Sequence, residues 1–282
     1  MHPDWLLPEP LAPHVGAVMS SREGGCSAAP FNWLNLGAFV GDDDEAVRRN
    51  REIFARSIGA SPVFLKQVHG TQVVRLTAAD ALPGAPLHEA DASVTSEPGV
   101  ACTVLVADCL PLLLAAPHGR AVAAAHAGWR GLAGGVVERT LSELCDVGAC
   151  APEEVHAWLG ACIGPRRFEV GRDVLQAFDI DPAHPDPLRF TPAPAAGQGN
   201  AGPPQVSLTP SGGGNGAAVS WGRPSEPKWF AHLAQLARDR LTRAGVVRIT
   251  GGRWCTVEDA SRFFSFRRDR VTGRMAAAVW IR

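Results

Sequence analysis

The chain of 282 residues is poor in lysine, in net charge and in long apolar runs. Lysine is confined to Lys66 and Lys228, so arginine carries nearly all the positive charge; that bias assigns no function by itself. With a formal net charge of −1, nothing electrostatic argues for a nucleic-acid partner or an anionic membrane surface. No apolar run approaches the roughly 18 residues of a membrane span. The opening MHPDWLLPEPLAPHVGAVMS has neither a basic start nor a continuous apolar core, so a secretory signal is not expected. Cysteine is present seven times, an odd number spread from Cys26 to Cys255. A disulfide framework is therefore not expected, and a reducing, cytoplasmic setting is. Most of these thiols are expected as small buried core residues.

What is present is ordinary globular material, 46% hydrophobic and 20% charged, long enough for one large core. GDDDEAVRRNREIFARSIG has acid at its start, Val47, Ile53, Phe54 and Ile58 near helical spacing, and Gly59 as a stop, which predicts a helix. VFLKQVHGTQVVRL reads as two strands about a turn at His69-Gly70. EADASVTSEPGVACTVLVADCLPLLLAA reads as strands broken at Pro98-Gly99. GWRGLAGGVVERTLSELCDVG reads as one helix, with Leu132, Val136, Val137, Leu141 and Leu144 in register. EEVHAWLGACIG is a buried strand, GRDVLQAFDI a short helix, KWFAHLAQLARDRLTRAG an amphipathic helix, and VVRITG and GRMAAAVWIR are strands. Residues 181–227, rich in Pro, Gly and Ser, read as a surface insertion in a single domain spanning 1–282. Interleaved strands and helices with hairpin-like pairs predict an α/β (α+β) fold of mixed sheets sandwiched with helices.

The stretch VADCLPLLLAAPHGRAVAAAHAGWRG (106–131) carries the first chemistry. Taken as a hairpin of strands 111–116 and 121–126 about PHGR, it sets residue 111 opposite His126. Cys109 lies two residues further on the same face, within diagonal reach of His126; a one-residue slip would separate them. His126 also ends a strand that leads into a helix, a junction whose free N–H groups favour anions. Pro111 interrupts an ordinary central-strand continuation. His118, in the turn, is expected to face solvent. Against this stands the bland reading: a cysteine in an apolar run is usually packed core, and a histidine usually just hydrogen-bonded.

A third block, LKQVHGTQVV, brings a resemblance. KQVHG with His69, ADCLP with Cys109 and AHAGWRG with His126 resemble the signature blocks of the laccase-domain family. Its members are also called YfiH-like polyphenol oxidases or peptidoglycan editing factors. NLGAFVGDDDEAVRRNR, ADASVT, WLGACIGPRRFEVG and CTVEDASRFFSFRRDRVTGRMAAAVWIR agree with it. The resemblance implies the YfiH-like cysteine-hydrolase fold, zinc held by His69, Cys109 and His126, and a purine nucleoside enzyme. Members of the family phosphorolyse adenosine, inosine, guanosine and methylthioadenosine, and some deaminate adenosine. The chain departs from the pattern at SFRRDR, where SYRRDG is common, and in the helix WFAHLAQLARDR.

Two imidazoles and a thiolate suit zinc, and three protein ligands leave the open fourth position of a catalytic site. Such an ion acidifies water and keeps Cys109 deprotonated. The same donors bind copper(II), favoured by the Irving–Williams order, but oxidation of phenols by a copper cluster needs more histidines than these blocks supply. Asp108 is the nearest carboxylate for proton transfer in a deaminase, or an outer hydrogen-bond partner. Arg130, beside the strand-to-helix turn, suits phosphate, with Arg51 and Arg267 as further candidates. Asn35 and Gln67 are amides able to read a base or ribose, or to cap turns. The expected partners are a purine nucleoside and phosphate, the expected assembly a monomer or small homo-oligomer. The alternatives are a hydrolase editing cell-wall precursors with Cys109 as nucleophile, a copper-dependent polyphenol oxidase, or a metal-buffering protein without turnover.

Overall fold

Alternate side chains of the strand Leu110–Ala115 enter two different cores: Leu110, Leu112 and Leu114 pack into one, Leu113 and Ala115 into the other. A strand buried on both faces has to be apolar throughout, and LPLLLA is. The computed structural model describes residues 1–194 and 226–282. In chain order they form β1 (Val15–Met19), α1 (Asp44–Ile58), β2 (Ser61–Val63), β3 (Val73–Arg75), β4 (Ala92–Thr95), β5 (Val100–Val106), β6 (Leu110–Ala115) and β7 (Val122–Ala127). There follow α2 (Trp129–Gly134), α3 (Val136–Gly148), β8 (His156–Leu159), β9 (Glu169–Val170), α4 (Arg172–Ala177) and β10 (Phe190–Pro192). The chain closes with β11 (Trp229–Ala231), α5 (Leu233–Arg243), β12 (Arg248–Gly251), α6 (Phe266–Asp269) and β13 (Met275–Ile281).

The strands make a four-stranded sheet in the order β1-β13-β5-β2, a six-stranded sheet β12-β8-β6-β7-β4-β3 and a three-stranded sheet β10-β11-β9. The first two are mixed, with parallel pairs β2–β5, β3–β4 and β8–β12 among antiparallel ones. They face each other across a core of Val104, Val106, Leu113, Ala124, Met275 and Ala277. The outer face of the four-stranded sheet is covered by α1 through Phe54 and Ile58. The outer face of the six-stranded sheet is covered by α2, α3 and α5 through Leu132, Val137, Leu141 and Leu236. The result is four layers with mixed sheets inside, as the pattern of elements predicts.

The register of the 106–131 hairpin is the expected one: Pro111 pairs with His126 and Ala116 N donates to Ala121 O at 2.9 Å. His118 is exposed at φ 59°. Helix α1 has its N-cap at Asp43, whose carboxylate accepts from Ala46 N, and its αL stop at Gly59.

Five expectations are corrected. The segment around His69-Gly70 is not a turn between paired strands, because β2 and β3 belong to different sheets and the chain crosses between them there. The helix expected over 129–148 is two helices, because Gly135 sits at φ 97° and ends α2. The segment 228–243 begins as strand β11, since Trp229 pairs with Val170 and with Pro192 before α5 starts. Of the insertion expected at 181–227, residues 195–225 lie outside the described residues. Its first part is anchored at one point: Phe190 is fully buried in the main core, beside Phe178, while the other residues of 181–194 are exposed or half-buried. Only Cys102 and Cys162 of the seven cysteines are buried, Cys26 is exposed and the rest are half-buried; all seven are free thiols.

Candidate metal centre

Two crossings between the facing sheets meet at one end of the gap. The chain passes from β5 to β6 through Ala107-Asp108-Cys109, with Asp108 at φ 115°, and from β2 to β3 through His69, itself at φ 61°. His126 lies near the end of β7, opposite Pro111. The ligand atoms of His69, Cys109 and His126 all lie within 4.8 Å of one another. Cys109 Sγ is 3.7 Å from His69 Nε2, and the two rings lie edge to face at 4.8 Å. Nitrogen and sulfur donors around one tetrahedral ion sit about 3.3–3.6 Å apart, so small side-chain adjustments would bring this set to the spacing a bound ion needs.

Asp91 organises the site. Its buried carboxylate accepts from the backbone N–H of Val68 at 3.1 Å, His69 at 2.9 Å and Gly70 at 2.7 Å, and lies 2.8 Å from His126 Nδ1. It therefore shapes the loop that carries one imidazole and orients the other, leaving His126 Nε2 for the ligand side. Burial opposes ionisation of Asp91, but His126 and the N–H groups of Gly70 and Val68 hold its pKa below the usual range. Burial also opposes charge at Cys109, yet the adjoining imidazoles bring its thiol down to about 6. Burial disfavours the His126 cation, yet Cys109 and Asp91 raise it to about 9. Proton-free, this is a donor set with a thiolate, two imidazoles and a carboxylate behind one of them, which fits a borderline-soft dication. Gly128 leaves the room: a Cβ there would stand 2.9 Å from His69 Cδ2 and 3.0 Å from Cys109 Sγ.

His69, Cys109 and His126 line a cavity of about 590 Å³, together with Gln67, Asp108, Trp129, Arg130 and Arg267 among others. Arg130 is exposed there, its guanidinium stacked 4.3 Å from the Trp129 ring. Arg267 spends Nη1 on the carbonyl of Glu169 at 3.0 Å. Asp108 lines the wall, but its oxygens accept from Thr256 Oγ1 at 2.6 Å, Ser265 Oγ at 2.7 Å and Arg267 N at 2.6 Å. Burial holds its pKa above the usual range in spite of these donors. It ties α6 to the crossing and bonds neither histidine; the carboxylate beside His126 is that of Asp91. Gln67 reaches the cavity, but its amide is spent on Leu105, donating to O at 2.8 Å and accepting from N at 2.7 Å.

Two candidates lie away from the cavity lining. Arg51 donates to Leu36 O at 3.0 Å and stacks on Phe64 at 4.0 Å, buried enough to lower its pKa. Asn35 is fully buried and accepts from Gly37 N at 2.9 Å and Arg274 N at 2.8 Å, so it caps a turn. Arg270 and Arg274, unremarked in the sequence, do line the cavity. The signal for Asp91 is an acid opening an apolar strand in EADASVT, a position that has to be buried and therefore paired.

The profile of the family described as multi-copper polyphenol oxidoreductase laccase matches residues 16–202 and 213–282. A purine nucleoside phosphorylase of Pseudomonas aeruginosa is 42% identical over 278 residues, covering 98% of each chain. The purine nucleoside phosphorylase YfiH of Escherichia coli is 40% identical over 283 residues, covering 99% of this chain and 97% of the relative. Among solved structures, a Neisseria meningitidis protein superposes with a TM-score of 0.77 at 41% identity, covering 99% of both chains. The Bacillus licheniformis protein YfiH superposes with a TM-score of 0.80 at 26% identity, covering 100% and 97%. No helix among the described residues is long and apolar enough to cross a membrane. With matches that run through nearly its whole length, the segments of His69, Cys109 and His126 included, the chain belongs to the YfiH-like, laccase-domain family.

Proposed function

We propose that this chain is a zinc-dependent purine nucleoside phosphorylase, converting a nucleoside and phosphate to free base and ribose-1-phosphate, in one domain spanning the chain. The observation that carries the reading is the convergence of His69, Cys109 and His126 on a cavity whose wall also bears Arg130 and Arg267. Relatives at 40–42% identity bear that activity in their names. A cytosolic setting suits seven free thiols.

In phosphorolysis a phosphate oxygen bonds to ribose C1′ as the C1′–N bond to the base breaks, and the base takes up a proton. Zinc, when bound by His69, Cys109 and His126, supplies a Lewis acid in the cavity. Arg130 holds the phosphate through its planar fork, and Arg267, whose Nη1 is taken by Glu169 O, adds positive charge and its remaining N–H groups. Stacking on Trp129 limits the freedom of Arg130, so less is lost on binding. Asp91 keeps His126 in one tautomer throughout. Adenosine deamination is the lesser activity: Asp108 is the carboxylate on the wall, and three donors already engage it.

The lowered Cys109 thiol also suits a second reading, a hydrolase editing cell-wall precursors with Cys109 as nucleophile. Metal-analysed protein incubated with adenosine and phosphate, resolved by chromatography, separates them. Adenine and ribose-1-phosphate support the phosphorylase, and inosine reports deamination. If neither free base nor ribose-1-phosphate forms while zinc stays bound, the phosphorylase proposal fails. Cys109→Ser losing zinc and turnover together favours the metal role over the nucleophile. Copper substituted into the site is expected to bind without phenol oxidation, because His69, Cys109 and His126 are the single such cluster among the described residues.

A further inference from the structure

Helix α6 ends in a turn that glycine adopts freely and arginine does not. Arg270 has φ 62° and ψ −61°, and Val271 N donates to Asp269 O at 2.7 Å across it. This is a γ-turn of the rare, strained hand, and such strain persists only where the surroundings impose it or function uses it. The fold gives Arg270 little in return. Its side chain is exposed and makes no hydrogen bond among the described residues, and its aromatic neighbour is Phe266, 5.9 Å from ring centre to guanidinium. The adjacent carboxylate, Asp269, is paired with Arg268 at 2.8 Å.

Arg270 does line the cavity of the metal ligands. Arg130, Arg267 and Arg274 line it too, and none of the four is paired with a carboxylate among the described residues. The one carboxylate on that wall, Asp108, is taken up by Thr256, Ser265 and the Arg267 backbone. The lining thus sets four guanidinium groups against a single carboxylate, which acts on Arg267 and Arg274, and Arg270 stands exposed with no acid facing it among the described residues.

We propose that Arg270 binds a phosphate group at the mouth of this cavity, and that the strained turn is retained to place its guanidinium there. The choice of phosphate among oxyanions rests on the phosphorylase reading. The group has two sources, inorganic phosphate as co-substrate or the 5′-phosphate of a nucleotide.

Arg270→Gly removes the guanidinium and relieves the turn. The zinc-loaded variant is expected to melt no lower than the parent, and up to about 2–4 °C higher. Its affinity for inorganic phosphate or for adenosine 5′-monophosphate, read by calorimetry, should fall about tenfold. Arg270→Lys, keeping the charge but not the fork, should fall between. If inorganic phosphate is the ligand, Arg270→Gly raises its KM and leaves that for adenosine unchanged. If a nucleotide is the ligand, the parent binds adenosine 5′-monophosphate more tightly than adenosine and Arg270→Gly erases the difference. Unchanged affinity for both ligands overturns the proposal, as does a variant that melts well below the parent, which would make Arg270 a structural residue. Calorimetry needs no turnover, so failure of the phosphorylase reading would leave this result legible.

Discussion

His126 Nδ1 lies 2.8 Å from Asp91 Oδ1, and the same oxygen accepts from His69 N at 2.9 Å. One carboxylate thus holds two histidines on different elements. Asp91→Ala leaves a buried imidazole N–H and three backbone donors without an acceptor, a loss of about 3 kcal/mol or more. Asp91→Asn keeps the volume and an acceptor but not the charge. It should fold, while its zinc affinity falls about 10–100-fold, read by competition with a chelating dye. Equal zinc affinity in Asp91→Asn and the parent would refute this role.

Gly128 tests the geometry without touching a donor. An added methyl would press on His69 Cδ2 and Cys109 Sγ at 2.9 and 3.0 Å. Gly128 has φ −65°, so alanine costs nothing in backbone conformation. Gly128→Ala should therefore melt near the parent but bind zinc more weakly and turn over less. A variant with full zinc occupancy and parental kinetics would show that Gly128 does not set the spacing of His69 and Cys109.

Stripping the metal should expose Cys109 as a nucleophile. In the metal-free protein its thiol titrates at about 6 while that of Cys102 is pushed up to about 12. Since the thiolate is the reactive form, alkylation of Cys109 should rise with pH through about 6 and level off near neutrality. Zinc should suppress it at every pH. Peptide mapping after a brief pulse of iodoacetamide reads both effects, and alkylation unaffected by zinc would contradict ligation by Cys109.

The hairpin of Cys109 and His126 was legible because local chemistry determines it: PHGR closes the turn and alternation does the rest. His69 was legible only through resemblance to a family. Its loop has no periodicity, and its shape comes from Asp91, 22 residues further on. Asn35 and Arg51 illustrate the opposite failure. An amide or guanidinium able to hold a substrate is equally able to hold backbone carbonyls and turns, and only packing reveals which. The strand Phe190–Pro192 was hidden by its Pro-rich surroundings, since its partner β11 lies far along the chain.

Gln67 decides between such uses. It reads in the sequence as a side chain able to hold base or ribose, yet in the fold it pairs with Leu105 as a strand neighbour would, through both amide atoms. That pairing fastens the crossing two residues before His69 to strand β5. Gln67→Ala should therefore loosen the zinc site, weakening metal affinity several-fold and costing about 1–2 kcal/mol of stability from two lost hydrogen bonds. The KM for nucleoside, measured at saturating zinc, should change little. Gln67→Glu, which cannot donate to Leu105 O and sets a carboxylate against it, should be worse than alanine at the metal. A substrate-reading glutamine would behave the other way round, with KM rising and zinc affinity unmoved, so paired chelator and kinetic titrations on the two variants distinguish the roles.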